Sequence, residues 1–267
     1  MRSVPRAYWV STFGVRRVLV IGHACLVPVR PGEAVPDFDP VAGGIPRKSL
    51  KTMTRAVQLG VVAALRAMAT VPGWQEVPPE RRGLFVGASP QQGDMEDLTA
   101  AIQACGPIPS LAALAERGVP LVPPLWLVKG LSNNVLGYAS AMLDFRGDNG
   151  NWCDGRLGGA VALCNAVHAV AEGRVDLALA GGADALRGAE AIVGGPCGEG
   201  AAFLVLAGEG VLPCPGRVIE AGLPSAVEDV DPIGEIAAAA VPVALLRALL
   251  TQRSVAVGGL RLNHTYS

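Results

Sequence analysis

Residues 156–182, RLGGAVALCNAVHAVAEGRVDLALAGG, constrain the fold more than any other stretch of the chain. Apolar and small residues run through 157–172 at helical spacing, and Gly173 turns the chain. Residues 175–180 then form an unbroken apolar strand that ends in Gly181 and Gly182. A strand that is apolar on both faces needs cover on both faces, and α/β proteins supply that cover by placing helices above and below a sheet.

The remaining pattern repeats this alternation. Strands are expected at 18–21, 83–88, 149–154, 201–206, 218–221 and 254–259. Helices are expected at 49–68, 94–105, 111–117, 131–143 and 233–250. Residues 28–46 read as loop, rich in Pro, Gly and Asp, and 121–127 as an extended stretch broken by proline. No short tandem repeat is visible.

The 267 residues suffice for one large domain or two small ones. Hydrophobic residues make up 51% and aromatic residues only 4%, so the core is built of Ala, Val and Leu. Net charge is −1, and no basic cluster exceeds two or three residues, which argues against a nucleic-acid partner. So apolar and weakly charged a chain is expected to bury a large surface against a partner. The six cysteines have no CxxC spacing, so neither a zinc site nor a disulfide framework is expected, and they read as buried thiols in a reducing cytoplasm. No metal or cofactor is expected. Arg16 and Arg17 precede an apolar run, but His23 interrupts it and no clean small-x-small cleavage site follows, so it reads as the first strand rather than a secretory signal. No apolar stretch reaches the ~20 residues of a membrane helix, and 236–250 comes nearest.

Five segments carry a resemblance when taken in order: RRVLVIGHACLVP, RRGLFVGAS, LSNNVLGYASAMLDFRGDN, GRVDLALAGGADA and CGEGAAFLVLAGEG. A sixth, 47–64, stands where a long helix follows an Arg-Lys lead. Together they resemble the β-ketoacyl synthases, condensing enzymes of the thiolase superfamily, with Asn133, Gly137, Arg146 and Gly147 in matching places. The resemblance covers roughly residues 15–210 and fades beyond. It implies a thiolase-like layered α/β/α(β/α) fold whose second half is abbreviated: a ketosynthase-like N-terminal half over 15–210 and a shortened C-terminal half over 211–267.

The departures from the family speak to function. Family catalysis needs a cysteine thiolate at the N-terminus of a buried helix, where the helix dipole and backbone N–H groups favour the anion and the developing oxyanion. Counting back from Gly181 puts the family glycine on Gly159 and the cysteine on Arg156. A guanidinium is no nucleophile. The family's HGT histidine segment is not found, and its second histidine falls on Glu235 in DPIGEIAAA. The resemblance is therefore to chain-length factors of type II polyketide or aryl-polyene systems, degenerate subunits that pair with an active ketosynthase. That implies an intact ketosynthase (or a second copy of this chain) as partner, with an acyl carrier protein as a further one. Two other readings stay open: a divergent acyltransferase or condensing enzyme of the same fold with Cys153 as nucleophile, and a self-pairing scaffold.

The candidate residues follow. Arg156 either plugs a dead site, paired with Glu199 or Glu235, or binds an anionic group. Cys164 lies two turns inside the helix and reads as packing, His168 as a partly buried structural histidine, and His23 and His264 have no visible partner. Gly181-Gly182 and the glycines around Glu199 lack the context of a phosphate loop and read as close-packing positions. The strand around Trp152 is expected at a two-fold contact, flanked by Tyr138, Met142 and Phe145.

Overall fold

The apolar strands assemble into one sheet. The computed structural model describes residues 16–89, 95–224 and 235–266. Among these the strands are β1 (Val18–Leu26), β2 (Arg82–Gly87), β3 (Asn149–Trp152), β4 (Leu177–Ala185), β5 (Glu199–Gly208), β6 (Arg217–Ala221), β7 (Val255–Val257) and β8 (Leu260–Tyr266). They lie in the order β3-β2-β4-β5-β1-β6-β8-β7. β2 is parallel to both β3 and β4, so the C-terminal ends of these three strands share one edge of the sheet. β4–β5, β5–β1 and β1–β6 are antiparallel.

Helices cover both faces, giving three layers. α1 (Arg55–Ala69) crosses β1, β4 and β5 on one face. Between β2 and β3 the chain forms α2 (Thr99–Ala104), α3 (Leu111–Ala113), α4 (Trp126–Lys129) and α5 (Asn134–Leu143), and α5 packs on α1. α6 (Gly155–Ala171) links β3 to β4 across the opposite face, α7 (Glu190–Val193) lies between β4 and β5, and α8 (Ala240–Leu250) packs beside α6. The period-2 alternation of a strand divides the core. Leu84, Val86, Leu177 and Leu179 join the α1 side, while Phe85, Ala178 and Ala180 join the α6 side. The head of α6 carries Gly158 and Gly159, so this end of the helix sits close to the sheet.

Several expected boundaries move. The helix expected at 49–68 divides into a 3-10 segment (Arg47–Thr52) and α1, because Met53 and Thr54 are extended between them. The helix expected from 233 begins with a 3-10 turn (Ala237–Ala239) before α8, and residues 233 and 234 lie outside the described residues. The helix expected at 94–105 shortens to α2 after a 3-10 turn (Met95–Leu98), with residue 94 outside the described residues. The single strand expected at 254–259 is a hairpin. Gly258 (φ +62°) and Gly259 (φ +82°) form the two-residue turn between β7 and β8, which needs positive φ at both positions.

Residues after β5 extend the same sheet through β6, β8 and β7 rather than opening a second one. Arg217 fixes them. It is 1% exposed, and its guanidinium donates to the Asn263 carbonyl (2.8 Å), the Arg253 carbonyl (2.7 Å) and the Ala248 carbonyl near the end of α8 (3.3 Å). A cation suits the C-terminal end of a helix. We predict that Arg217→Met, which leaves three carbonyls without this donor, lowers stability by about 3 kcal/mol. Urea unfolding would read this, and a loss within about 0.5 kcal/mol, as for ordinary surface positions, would show that the guanidinium is not the staple.

Candidate functional site

At the shared edge, the C-terminal ends of β2, β3 and β4 meet the N-terminus of α6 and the segment 235–239. In open sheets of this kind, ligands sit outside the carboxyl ends of the strands. Glycines make the approach possible. A Cβ on Gly87 would lie 2.4 Å from the Gly159 nitrogen, and one on Gly158 2.8 Å from the Trp152 carbonyl. A Cβ on Gly159 or Gly182 would lie 2.1 or 2.2 Å from the Ala238 carbonyl. Gly181 meets the Ala202 carbonyl in the same way, at 2.0 Å. The paired glycines of β4 are therefore close-packing positions, as their sequence context implied.

On this frame stands an ion pair. Arg156, in the first turn of α6, donates from Nε to Glu235 Oε2 at 2.6 Å and makes a second, very short contact to the same oxygen. Glu235 Oε1 accepts from the Ala237 amide at 2.7 Å. The Glu235 backbone is itself fixed, its amide donating to the Pro196 carbonyl and its carbonyl accepting from the Gly198 amide. Of the two carboxylates expected to face Arg156, the structure selects Glu235. Glu199 is engaged elsewhere: it accepts from Arg55 at 2.6 and 3.1 Å and from the Val35 amide at 2.7 Å, tying the 28–46 loop to the sheet.

A third charged group was not singled out in the sequence. Asp184 in β4 is 1% exposed; it accepts from the Ala238 amide at 2.8 Å and is hydrogen-bonded to the Ser89 side chain. Burial pushes its carboxyl up to about 7, with the Glu235 charge adding to the rise and the Ser89 and Ala238 hydrogen bonds opposing it. The available signal was an aspartate inside an otherwise apolar strand, LALAGGADA, where a carboxyl has to find partners or hold its proton. Between the two carboxylate anchors, Ala237 adopts φ +33°, an uncommon conformation for a residue with a side chain.

The other candidates scatter. Cys153, in the β3–α6 connection, is half-buried, and its Sγ accepts from Asn151 Nδ2 at 3.2 Å. Cys164 is buried in α6, and burial pushes its thiol up to about 12, so it is inert packing. Burial, followed by the Glu190 and Glu235 charges, likewise raises the Cys197 thiol. His168 was expected to be partly buried; it is exposed on the last turn of α6. His23 lies within β1 rather than after it, and burial lowers its pKa. His264 belongs to β8, and its side chain lies outside the described residues.

The expected contact residues divide as well. β3 is an edge strand, and Trp152 is half-buried with its ring stacked on Phe85 at 6.2 Å. Tyr138 and Met142 are half-buried, the Tyr138 hydroxyl bonding Thr52 Oγ1. Phe145 does not offer free apolar surface, because it is buried in the core of its own chain against Trp74. Two open clefts lie away from the crevice: one of about 480 Å³ beside Arg16, Asp176 and Glu209, and one of about 500 Å³ along α1. Among the described residues no His, Cys, Asp and Glu cluster is arranged to hold a metal, and no helix is long and apolar enough to cross a membrane.

Comparison with known proteins adds three findings. Residues 27–196 match the sequence model of the family described as Beta-ketoacyl synthase, N-terminal domain. No curated protein sequence matches the chain. Solved structures share the fold. A type II PKS ketosynthase bound to the hexaketide in complex with its acyl-carrier protein (AntDE:AntF) is 18% identical with a TM-score of 0.58, over 73% of this chain and 63% of that one. The ishigamide ketosynthase/chain length factor is 18% identical with a TM-score of 0.59, over 76% and 65%. A β-ketoacyl synthase from Burkholderia phymatum is 21% identical with a TM-score of 0.56, over 72% and 59%. The chain thus spans less than two thirds of the length of each.

Two predictions test the electrostatics. Glu235 is 10% exposed and Arg156 31%, so Arg156→Met and Glu235→Gln should each cost about 2 kcal/mol, less than a fully buried pair, and the double variant should recover most of one loss. A coupling below about 0.5 kcal/mol in the denaturation cycle would assign the pair to the solvated surface. For Asp184, the unfolded carboxyl titrates near 3.8 and the folded one near 7. Between those values the unfolded chain releases a proton that the folded chain keeps, so stability should fall as pH rises from 4 to 7, by at most about 4 kcal/mol. Asp184→Asn should remove this slope and be the more stable protein at pH 8. Parallel pH profiles of the two proteins would contradict the assignment.

Proposed function

The chain belongs to the β-ketoacyl synthase family, and on that premise we propose that it is a non-catalytic member, a chain-length-factor-type subunit that pairs with an active ketosynthase in polyketide or fatty-acid-like biosynthesis. One observation carries the reading. At the head of α6, where the resemblance places the nucleophile, Arg156 is bound to Glu235, the residue in the place of the family's second histidine. A guanidinium neutralised by a carboxylate supplies neither a nucleophile nor a base. The site is filled and salt-linked, and the chain's remaining use is to complete a partner.

Two further features support the pairing, and a third suits a carrier protein. The outer edge of β3 is unpaired among the described residues, and proteins usually cover such edges. The β2–β3 crossover exposes large apolar side chains, Ile108 and Leu111 at 86% and Leu127 at 71%. Exposed Arg47, Lys48 and Lys51 have no acidic partner among the described residues and suit the phosphate-bearing arm of an acyl carrier protein. In this reading residues 15–210 are the ketosynthase-like half and 211–267 a shortened second half. The six free cysteines fit a cytoplasmic location. One observation favours an acyltransferase instead: Cys153 stands just before α6 with an N–H donor on its sulfur.

Intact-mass analysis separates the two. The purified chain should take no acyl group from acyl-CoA or an acyl carrier protein, and a stable adduct on Cys153 would establish the enzyme. Size-exclusion with light scattering, alone and after co-expression with a ketosynthase, tests the pairing. We expect a dimer burying more than ~1,600 Å². Leu127→Arg, which touches no core residue position, should weaken it, and Trp152→Asp should dissociate it or make the chain insoluble. A well-folded monomer under both conditions, with 149–152 open to solvent, would sink the partner-subunit reading.

A further inference from the structure

One groove is used by neither the crevice nor the β3 edge. It has a volume of about 500 Å³ and runs between the 42–46 loop and the outer side of the last turns of α1. Gly43, Gly44, Leu65, Ala69 and Met142 line it, and Arg66 is the single charged residue in the lining. The opening is built in. Gly44 has φ +103°, and a Cβ there would approach Leu65 Cδ1 at 3.1 Å, so this wall stays glycine and the space above Leu65 stays free. Arg66 is exposed, and no carboxylate among the described residues pairs with it. Arg47 and Lys48 follow the loop and are also exposed without an acidic partner. The nearest acid in sequence, Asp39, is turned to the backbone, accepting from the Val41 and Ala42 amides at 2.8 and 3.2 Å, and no acid lines the groove. The rim is therefore cationic over an apolar floor, in a volume within the range of roughly 300–1,000 Å³ that small-molecule sites occupy.

We propose that this groove binds an amphiphile with one anionic head and a medium-length alkyl tail, the head against Arg66 and the tail along Leu65 and Met142. The binding is independent of whether the chain is a partner subunit. Equilibrium dialysis of the full chain with radiolabelled decanoate, kept below its micelle concentration, tests it. One saturable site is expected, with decanol and decyltrimethylammonium binding about tenfold or more weakly. Arg66→Glu and the groove-filling Ala69→Trp should each weaken decanoate binding about tenfold or more, with unchanged thermal melts. Cosedimentation with phosphatidylglycerol vesicles separates the sources of such a head. Pelleting that Ala69→Trp abolishes identifies a bilayer lipid, and no pelleting identifies a soluble carboxylate; either upholds the anionic amphiphile. The proposal is overturned by an absence of saturable decanoate binding, by equal binding of the cationic amphiphile, or by full binding in both variants.

Discussion

The Ala238 carbonyl is wedged between Gly159 of α6 and Gly182 of β4, while Gly87 of β2 lies against the Gly159 amide. Side chains at these positions would sit within about 2.4 Å of backbone, well inside van der Waals contact. The wedge brings the head of α6, two strand ends and the segment 235–239 to one point. Everything charged in the crevice takes its place from that point. Arg156 is on the first turn of the welded helix, Asp184 is two residues beyond Gly182, and Glu235 begins the segment whose carbonyl is gripped.

The electrostatics follow from the geometry. Two carboxyl groups and one guanidinium share a poorly hydrated volume. With both acids ionised the cluster would carry a net negative charge, and low dielectric makes that costly. Asp184 is pushed up to about 7, chiefly by its burial and in lesser part by the Glu235 charge, while Glu235 holds the guanidinium. Both acids also hold backbone amides of the 237–238 turn, which lets Ala237 stay in a conformation that alanine avoids. The same contacts neutralise the guanidinium and fix the turn.

Much of this was legible in the sequence. The helix at 155–171 and the strands β4 and β5 announced themselves because long apolar and small-residue runs dominate them, and the helix and β4 lie within the residues that match the ketosynthase family. Arg156 was found by counting along that helix. What was not legible depends on through-space facts. Glu199 and Glu235 are equally plausible partners in one dimension, and only the fold gives Glu199 to Arg55. Phe145 is expected beside the Trp152 contact with Tyr138 and Met142, but it turns inward onto Trp74, a partner far away in sequence. Asp184 was passed over as part of a motif. The hairpin at Gly258-Gly259 was missed because the apolar run continues on both sides of a turn made by two small residues.

The two faces of the sheet differ in a way that bears on how this chain can change over generations. The α1 face is packed with Leu, Val, Met and Phe, and such a surface admits exchanges of similar volume with local repacking. The α6 face carries large side chains as well, but where the head of α6 meets the strand ends it is closed by glycines with backbone in direct contact, so at that point there is nothing to trim and no room to add. Drift should therefore be permitted over most of the sheet and arrested where the head of α6 meets the strand ends. A lineage of such chains would keep Gly87, Gly159 and Gly182 whatever side chain stands at the head of α6, because these glycines preserve the helix position itself rather than any one chemistry at its end.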